Sequence, residues 1–317
     1  MGVTTQDIFG ESNDAQPAVP GSYGEAPHGI RLPESTRLGP VHLQVADIDR
    51  SLAFYQDVLG LRPLRRDGSH VVLAPDGDDT PLIELHEHPA ARPVPRRGGL
   101  GLYHFAILLP DRPSLGRFMH HLGEIGVRAG SADHLVSEAI YLQDPDNLGI
   151  EVYTDRPRNT WRRVGRQLMM ATDPIDVAGL ASAAGDGSWS GMPAGTVIGH
   201  VHLHVSDIVK AASFFSEAIG FDRMVWRYPG ALFLGAGGYH HHLGANTWAG
   251  PAATPPAEDD ARLLEWTIEL PDAESLLAVE ESIVRTGHPV ERVGGPAATE
   301  LVVRDPWGTQ LRIRTKA

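Results

Sequence analysis

The sequence predicts an α+β protein assembled from four copies of one βαβββ module, and three observations lead there. Short runs that alternate apolar and polar residues, such as V-H-L-Q-V at 41–45, are each followed by a stretch with apolar residues at helical spacing and then by further strand-like runs. This order occurs twice before residue 155. The first half then recurs in the second: V-A-D-I-D-R-S-L-A-F-Y-Q-D-V-L-G-L (45–61) matches V-S-D-I-V-K-A-A-S-F-F-S-E-A-I-G-F (205–221) without a gap, an offset of 160. L-P-D-R-P-S-L (109–115) and D-P-D-N-L-G-I-E (144–151) reappear 161 residues later as L-P-D-A-E-S-L and D-P-W-G-T-Q-L-R. A repeat of this length indicates duplicated domains rather than a solenoid.

Taken in order, residues 1–37 are rich in Gly, Pro, Ser and acids without apolar period, and are expected to form an extended or partly disordered arm, lying on the domain surface near 28–33. A first domain is expected over 38–155. Its first module has a strand at 41–45, Asp47 or Asp49 as N-cap, a helix over 51–59 stopped by Gly60, and strands at 61–65, 70–73 and 82–85. After a Pro/Arg-rich connector (89–99) the second module follows, with a strand at 102–108, a helix at 114–125, and strands near Val127, at 139–143 and at 149–153. Residues 156–196 break the pattern and read as a linker with one short helix, around 164–170 or 177–183. The second domain is expected over 197–317.

Composition narrows the partners. With 317 residues, 42% hydrophobic and 21% charged, the chain can bury substantial cores. A net charge of -13, with no basic run interleaved with aromatics, repels a phosphate backbone, so nucleic acid is not an expected partner. No apolar run is long enough to span a bilayer and the first residues lack the features of a signal peptide, so a cytoplasmic location is expected. Without cysteine there is no disulfide or thiolate site, and any metal must be held by His, Asp and Glu. The stretch 103–153 offers such groups. His104 lies early in one strand-like run and Glu151 in another, and on interior strand faces both cost folding energy unless a partner satisfies them.

Three features together carry a resemblance: four βαβββ modules, the V-H-L-x-V strand followed by D-x-x-x-S-x-x-F-Y-x-x-V-L-G, and the Y-x-x-D-P-x-x-x-x-x-E ending. The chain resembles the vicinal oxygen chelate (glyoxalase/bleomycin resistance/extradiol dioxygenase) superfamily. Within it, D-H-L-V-S-E-A (133–139) and G-G-Y-H-H-H-x-G-x-N-T-W (237–248) are similar to the two-domain bacterial catechol 2,3-dioxygenase branch. The resemblance implies that paired modules curl into two open β-barrel domains and that His42, His104 and Glu151 hold a metal in the first of them. It also implies that Tyr141, ten residues before Glu151, hydrogen-bonds the substrate hydroxyl. His134, seven residues before Tyr141, is implied to act as acid/base, on a loop about two residues shorter than the usual spacing. The cofactor implied is Fe(II), with Mn(II) as the alternative. The partners implied are a small aromatic diol and O2; the sequence leaves the oligomeric state open, with a homo-oligomer possible because edge strands of such barrels often pair. Two imidazoles and a carboxylate on one face of an iron leave the other face for oxygen and a chelating substrate.

The second half has His202, Glu265 and Arg312 at the counterparts of these three ligands and Val302 at that of Tyr141. Arginine offers no lone pair to a metal, so a degenerate site with Arg312 paired to Glu265 is expected there. His240 and His242 are expected to share a strand face and to reach His202, so these three could hold a second, adventitious or regulatory metal. Two other readings stay open at this point. A glyoxalase-like isomerase or hydrolase follows if Glu84 joins the shell as a fourth ligand, a set that suits Zn, Ni or Co. A binding protein that sequesters a small molecule without turnover is the other.

Overall fold

The computed structural model describes residues 3–10, 14–95, 98–294 and 299–316, so parts of the arm and residues 96 and 97 of the connector lie outside the described residues. The four modules form two eight-stranded sheets, each curled into a half-open barrel. Each module runs strand, helix, then three strands, and its last strand lies parallel to its first. Arg37–Val45 pairs with Ile83–Glu87, Gly101–Leu108 with Gly149–Asp155, Val197–His204 with Leu243–Asn246, and Arg262–Leu270 with Gln310–Thr315.

Local chemistry accounts for the crossover helices. The helices Ile48–Asp57, Arg112–Glu124 and Ala273–Arg285 begin after Asp47, Asp111 and Asp272, whose carboxylates accept the backbone N–H of Arg50, Ser114 and Ser275. Gly60, at φ 72°, follows the first helix with the left-handed backbone that a helix C-terminus favours. In the third module the helix starts after Asp207 at Ile208 and continues as a π-helical segment, Ala212–Ala218. Strand alternation then divides each strand between two environments. In Gly101–Leu108, Phe105 and Ile107 join the main core, whereas Ala106 packs with Ala139 and Tyr153 in a separate cluster.

The pairing of modules differs from the one expected. The first strands join barrels antiparallel, Val197–His204 to Gly101–Leu108 and Arg262–Leu270 to Arg37–Val45. Hence modules two and three form one barrel, and modules one and four the other. The expected consecutive domains, 38–155 and 197–317, therefore do not exist as separate barrels. Four similar modules carry similar hydrogen-bonding edges, and similarity alone cannot say which edges meet. One hydrophobic cluster runs through all four modules, from Leu43 and Leu73 through Phe105 and Phe118 to Phe214, Trp266 and Ile313.

The flanking segments are more structured than expected. The arm carries a helix, Thr5–Phe9, closed by a capping box between Thr4 and Asp7. Its strand Gln16–Pro17 pairs with Arg162–Val164, which in turn pairs with Gln167–Leu168. Within 164–170, Val164 and Gln167–Leu168 belong to a small three-stranded sheet and no helix forms, while Val177–Ala183 is helical as one of the two readings had it.

Candidate metal centre and its cavity

Three side chains from two modules converge inside the barrel of modules two and three. His104 projects from Gly101–Leu108, Glu151 from the parallel neighbour Gly149–Asp155, and His200 from Val197–His204, which joins them across the module boundary. Nε2 of His104 and Nε2 of His200 lie 3.0 and 3.1 Å from the same oxygen of Glu151, Oε2, and 3.3 Å from each other. All three residues are buried.

A β-bulge aims His200. The register with Gly101–Leu108 shifts between Ile198 and His200, so Ile198 and Val201, three apart, both reach the hydrophobic core while His200 turns into the barrel. Gly199 permits this, because a Cβ there would sit 1.8 Å from the hydroxyl of Tyr153.

The electrostatics suit a cation. Burial would raise the Glu151 carboxyl, but the adjacent His200 and His104 outweigh it and hold it well below the usual carboxylate range. Burial lowers both His104 and His200 against the pull of Glu151, so both imidazoles are biased toward the neutral form. Neutral imidazoles and an ionised carboxylate are the forms that ligate a metal, and a cation would answer the one negative charge such a buried set carries. Metal–ligand bonds of about 2.1 Å at right angles place neighbouring donor atoms about 3 Å apart, close to the three separations here. The donor set therefore fits a divalent ion bound on one face.

The three donors open onto a cavity of about 460 Å³, lined also by Tyr103, His134, Tyr141, Met170, Tyr228, Phe233, His241 and Trp248, with Val3 of the arm at its edge. Among the described residues that line it there is no lysine or arginine. Tyr141 lies directly opposite Glu151 in the antiparallel strand pair. Its hydroxyl is 2.5 Å from Nε2 of His134, whose Nδ1 is 2.6 Å from the carbonyl oxygen of Ala171. A carbonyl can only accept, so Nδ1 carries the proton and the Tyr141 O–H donates to Nε2. Leu135, next in the turn, has φ 69°, in the left-handed region that costs a side chain of this size.

On the far side of His200 lies His241, with ring centroids 4.1 Å apart. His240 Nε2 is 2.9 Å from Asp155, and its Nδ1 is 2.7 Å from Nδ1 of His241. With His240 donating to the carboxylate, His241 Nδ1 donates to His240, and His241 Nε2 keeps its lone pair.

Several expectations need correction. His42 is not part of this centre: it belongs to the barrel of modules one and four, beside Glu84, His86 and Glu265. His200 takes the third place. The repeat offset of 160 sets His200 against Pro40, and a search anchored on His42 leads instead to His202. Glu84 is likewise removed from His104 and Glu151, and its Oε2 lies 2.7 Å from His70 Nε2. The conjectured second metal at His202, His240 and His242 is not formed. His202 Nε2 takes a hydrogen bond from the Asn246 amide at 3.0 Å, and His242 Nδ1 accepts the Ala236 N–H at 3.1 Å. His240 and His242 lie just before Leu243–Asn246 rather than sharing a strand face. Arg312 does pair with Glu265, at 2.6 Å from Oε1, with Gln310 also on that carboxylate. His241 was missed as a cavity residue because its triplet offered no means of choosing among three adjacent histidines.

Comparison with known proteins agrees with this architecture. Residues 37–152 match the family model described as Glyoxalase/Bleomycin resistance protein/Dioxygenase superfamily. The chain is 44% identical to the catechol-2,3-dioxygenase of Bacillus subtilis (strain 168) over 276 residues, 86% of this chain and 95% of that protein. Among solved structures, one from Bacillus subtilis, provisionally assigned as a dioxygenase, superposes with a TM-score of 0.60 at 15% identity, over 90% of this chain and 86% of the other. Glyoxalase I from Zea mays gives 0.52 at 17% identity, over 89% and 92%. These last two likenesses speak to the fold alone. The chain belongs to the glyoxalase/bleomycin resistance protein/dioxygenase superfamily, within the branch similar to the two-domain bacterial catechol-2,3-dioxygenases.

Proposed function

We propose that the protein is an extradiol dioxygenase that opens a catechol-type ring with O2, using an Fe(II) held by His104, Glu151 and His200. The observation that carries this reading is the convergence of those three donors on one face of a cavity whose other walls bring Tyr141, His134 and His241. The 44% identity to a catechol-2,3-dioxygenase over nearly all of that protein supports it. When bound, Fe(II), or Mn(II) in its place, supplies the open coordination positions and the redox chemistry that ring opening requires.

The chain's own residues supply the rest. Glu151 brings the one negative charge of the donor set. His241 accepts a substrate hydroxyl proton at Nε2, and the Asp155–His240 pair behind it stabilises the resulting imidazolium. Tyr141 orients the other side of the diol, and His134, fixed by Ala171, takes and returns a proton through the tyrosine hydroxyl. The aromatic and thioether walls, Tyr228, Phe233, Trp248 and Met170, favour the faces of an uncharged ring. With no lysine or arginine among the described lining residues, a carboxylated ring has no side-chain counter-ion, so neutral catechols are the favoured substrates.

The glyoxalase-like alternative required Glu84 as a fourth ligand, and no observation favours it now that Glu84 lies in the other barrel. Anaerobic reconstitution with Fe(II), followed by an oxygen electrode with catechol and 4-methylcatechol, tests the proposal. Catechol-dependent O2 uptake with a yellow ring-cleavage product is expected. Binding of catechol without O2 uptake would replace this reading with that of a sequestering protein.

A further inference from the structure

The barrel of modules one and four holds a second group of metal-type donors that the proposed reaction does not use. His42 and the pair Glu84 and His86 come from the parallel first and last strands of module one, where Glu84 lies beside His42 in register and His86 beside Gln44. A donor atom from each of His42, Glu84 and His86 falls within 4.8 Å of the other two. Nδ1 of His42, the nitrogen that faces His86, is 3.2 Å from its Nε2, while the 3.8 Å contact to Oε1 of Glu84 is made by the other ring nitrogen of His42, Nε2. Two nitrogens bound tetrahedrally at the usual zinc distance lie about 3.3 Å apart.

We infer that His42, Glu84 and His86 form a second divalent-metal site, suited to zinc and independent of the dioxygenase centre. Neighbouring groups fit that use. His70 Nε2 holds Oε2 of Glu84 at 2.7 Å, which orients the carboxylate and leaves Oε1 free, and the His70 ring stacks on His86 with centroids 4.4 Å apart. Glu265 comes within 3.7 Å of His42 Nε2, but Arg312 and Gln310 occupy it, so it closes the site without adding a ligand. The charge of Arg312 is itself answered by Glu265 and Glu300. Two imidazoles and one carboxylate with a fourth position left to water suit zinc or cobalt. His42, Glu84 and His70 keep about a fifth of their side-chain surface exposed, 20%, 19% and 24%, so an ion can enter from solvent.

This is not the repeat counterpart of the first centre. At offsets of 160 and 161 the counterparts of His200, His104 and Glu151 are Pro40, Glu265 and Arg312, which cannot hold an ion together. The new group sits two residues further along the first strand and uses the last strand of the same module. An ion there would tie the two parallel strands of module one together and rigidify the barrel that does not carry the reaction.

The test counts metal. Full-length protein is stripped with chelator, loaded with Zn²⁺, desalted and analysed by mass spectrometry of the metal, with Co²⁺ loading read by its visible spectrum. Glu84→Gln and His86→Ala should each bind one ion fewer per chain than the parent. Glu151→Gln should lose a different ion, so that the Glu84→Gln/Glu151→Gln pair binds none. Glu84→Gln retains a partner for His70, and its catechol-dependent O2 uptake after Fe(II) loading should be unchanged. Should Glu84→Gln and His86→Ala, both folded by circular dichroism, bind as many ions as the parent, the second site is overturned. Because Glu151→Gln is counted separately, failure of the first centre shows as a different pattern.

Discussion

Gly199→Ala is the smallest change that attacks the centre without touching a donor. A Cβ at this position would lie 1.8 Å from the Tyr153 hydroxyl and 2.7 and 2.9 Å from two ring carbons. Tyr153 cannot swing away cheaply: it is fully buried, and its hydroxyl is 2.6 Å from that of Tyr239, which reaches Asp155 at 3.2 Å. The chain must therefore either straighten the bulge, turning His200 out of register, or displace Tyr153. Overpacking costs about 1–3 kcal/mol, and breaking the Tyr153–Tyr239 hydrogen bond adds about 1 kcal/mol. A loss of about 2–4 kcal/mol in denaturant unfolding, together with weakened iron retention, is expected. Gly123→Ala is the control, since a Cβ there meets nothing within 4 Å in a regular helix and should be neutral or stabilising by about 0.5–1 kcal/mol. If Gly199→Ala unfolds like the parent and holds iron as well, the bulge does not position His200 and the reasoning fails.

Other outcomes follow from the same geometry. Tyr141→Phe removes the donor to His134 but no metal donor, so iron content should stay while kcat for catechol falls roughly a hundredfold; loss of iron would show that the tyrosine acts structurally. Asp144, buried in the turn before Glu151, is pushed up to about 7, chiefly by burial with Asp146 adding to it, so the fold prefers its protonated form. Its contribution is complete below about pH 4 and is lost as pH rises toward 7, at most about 4 kcal/mol. Asp144→Asn should flatten that decline in thermal melts between pH 4 and pH 7, and an unchanged slope would refute the assignment.

How much could be read from the chain alone follows from which features are local. Asp47 and Asp111 with the apolar spacing behind them mark helices because capping and amphipathicity act within a turn or two. The four modules were legible for the same reason, and so were His104 and Glu151, which lie in one module on adjacent parallel strands. Tyr141 follows from Glu151, its direct partner across the strand pair. His200 was not legible, because choosing it needs two non-local facts. One is that module two pairs with module three; the other is that the bulge at Gly199 turns the His200 face inward. His202 and His204 share the same strand and are absorbed by Asn246 instead. The hairpin at 162–168 was hidden because its partner strand, Gln16–Pro17, lies far away in the arm.

The most direct test of the account compares His200→Ala with His42→Ala, both loaded anaerobically with Fe(II) and then given catechol and O2. His200→Ala should consume no O2 beyond background and His42→Ala should consume it like the parent. Uptake retained in His200→Ala and lost in His42→Ala would contradict the centre described here.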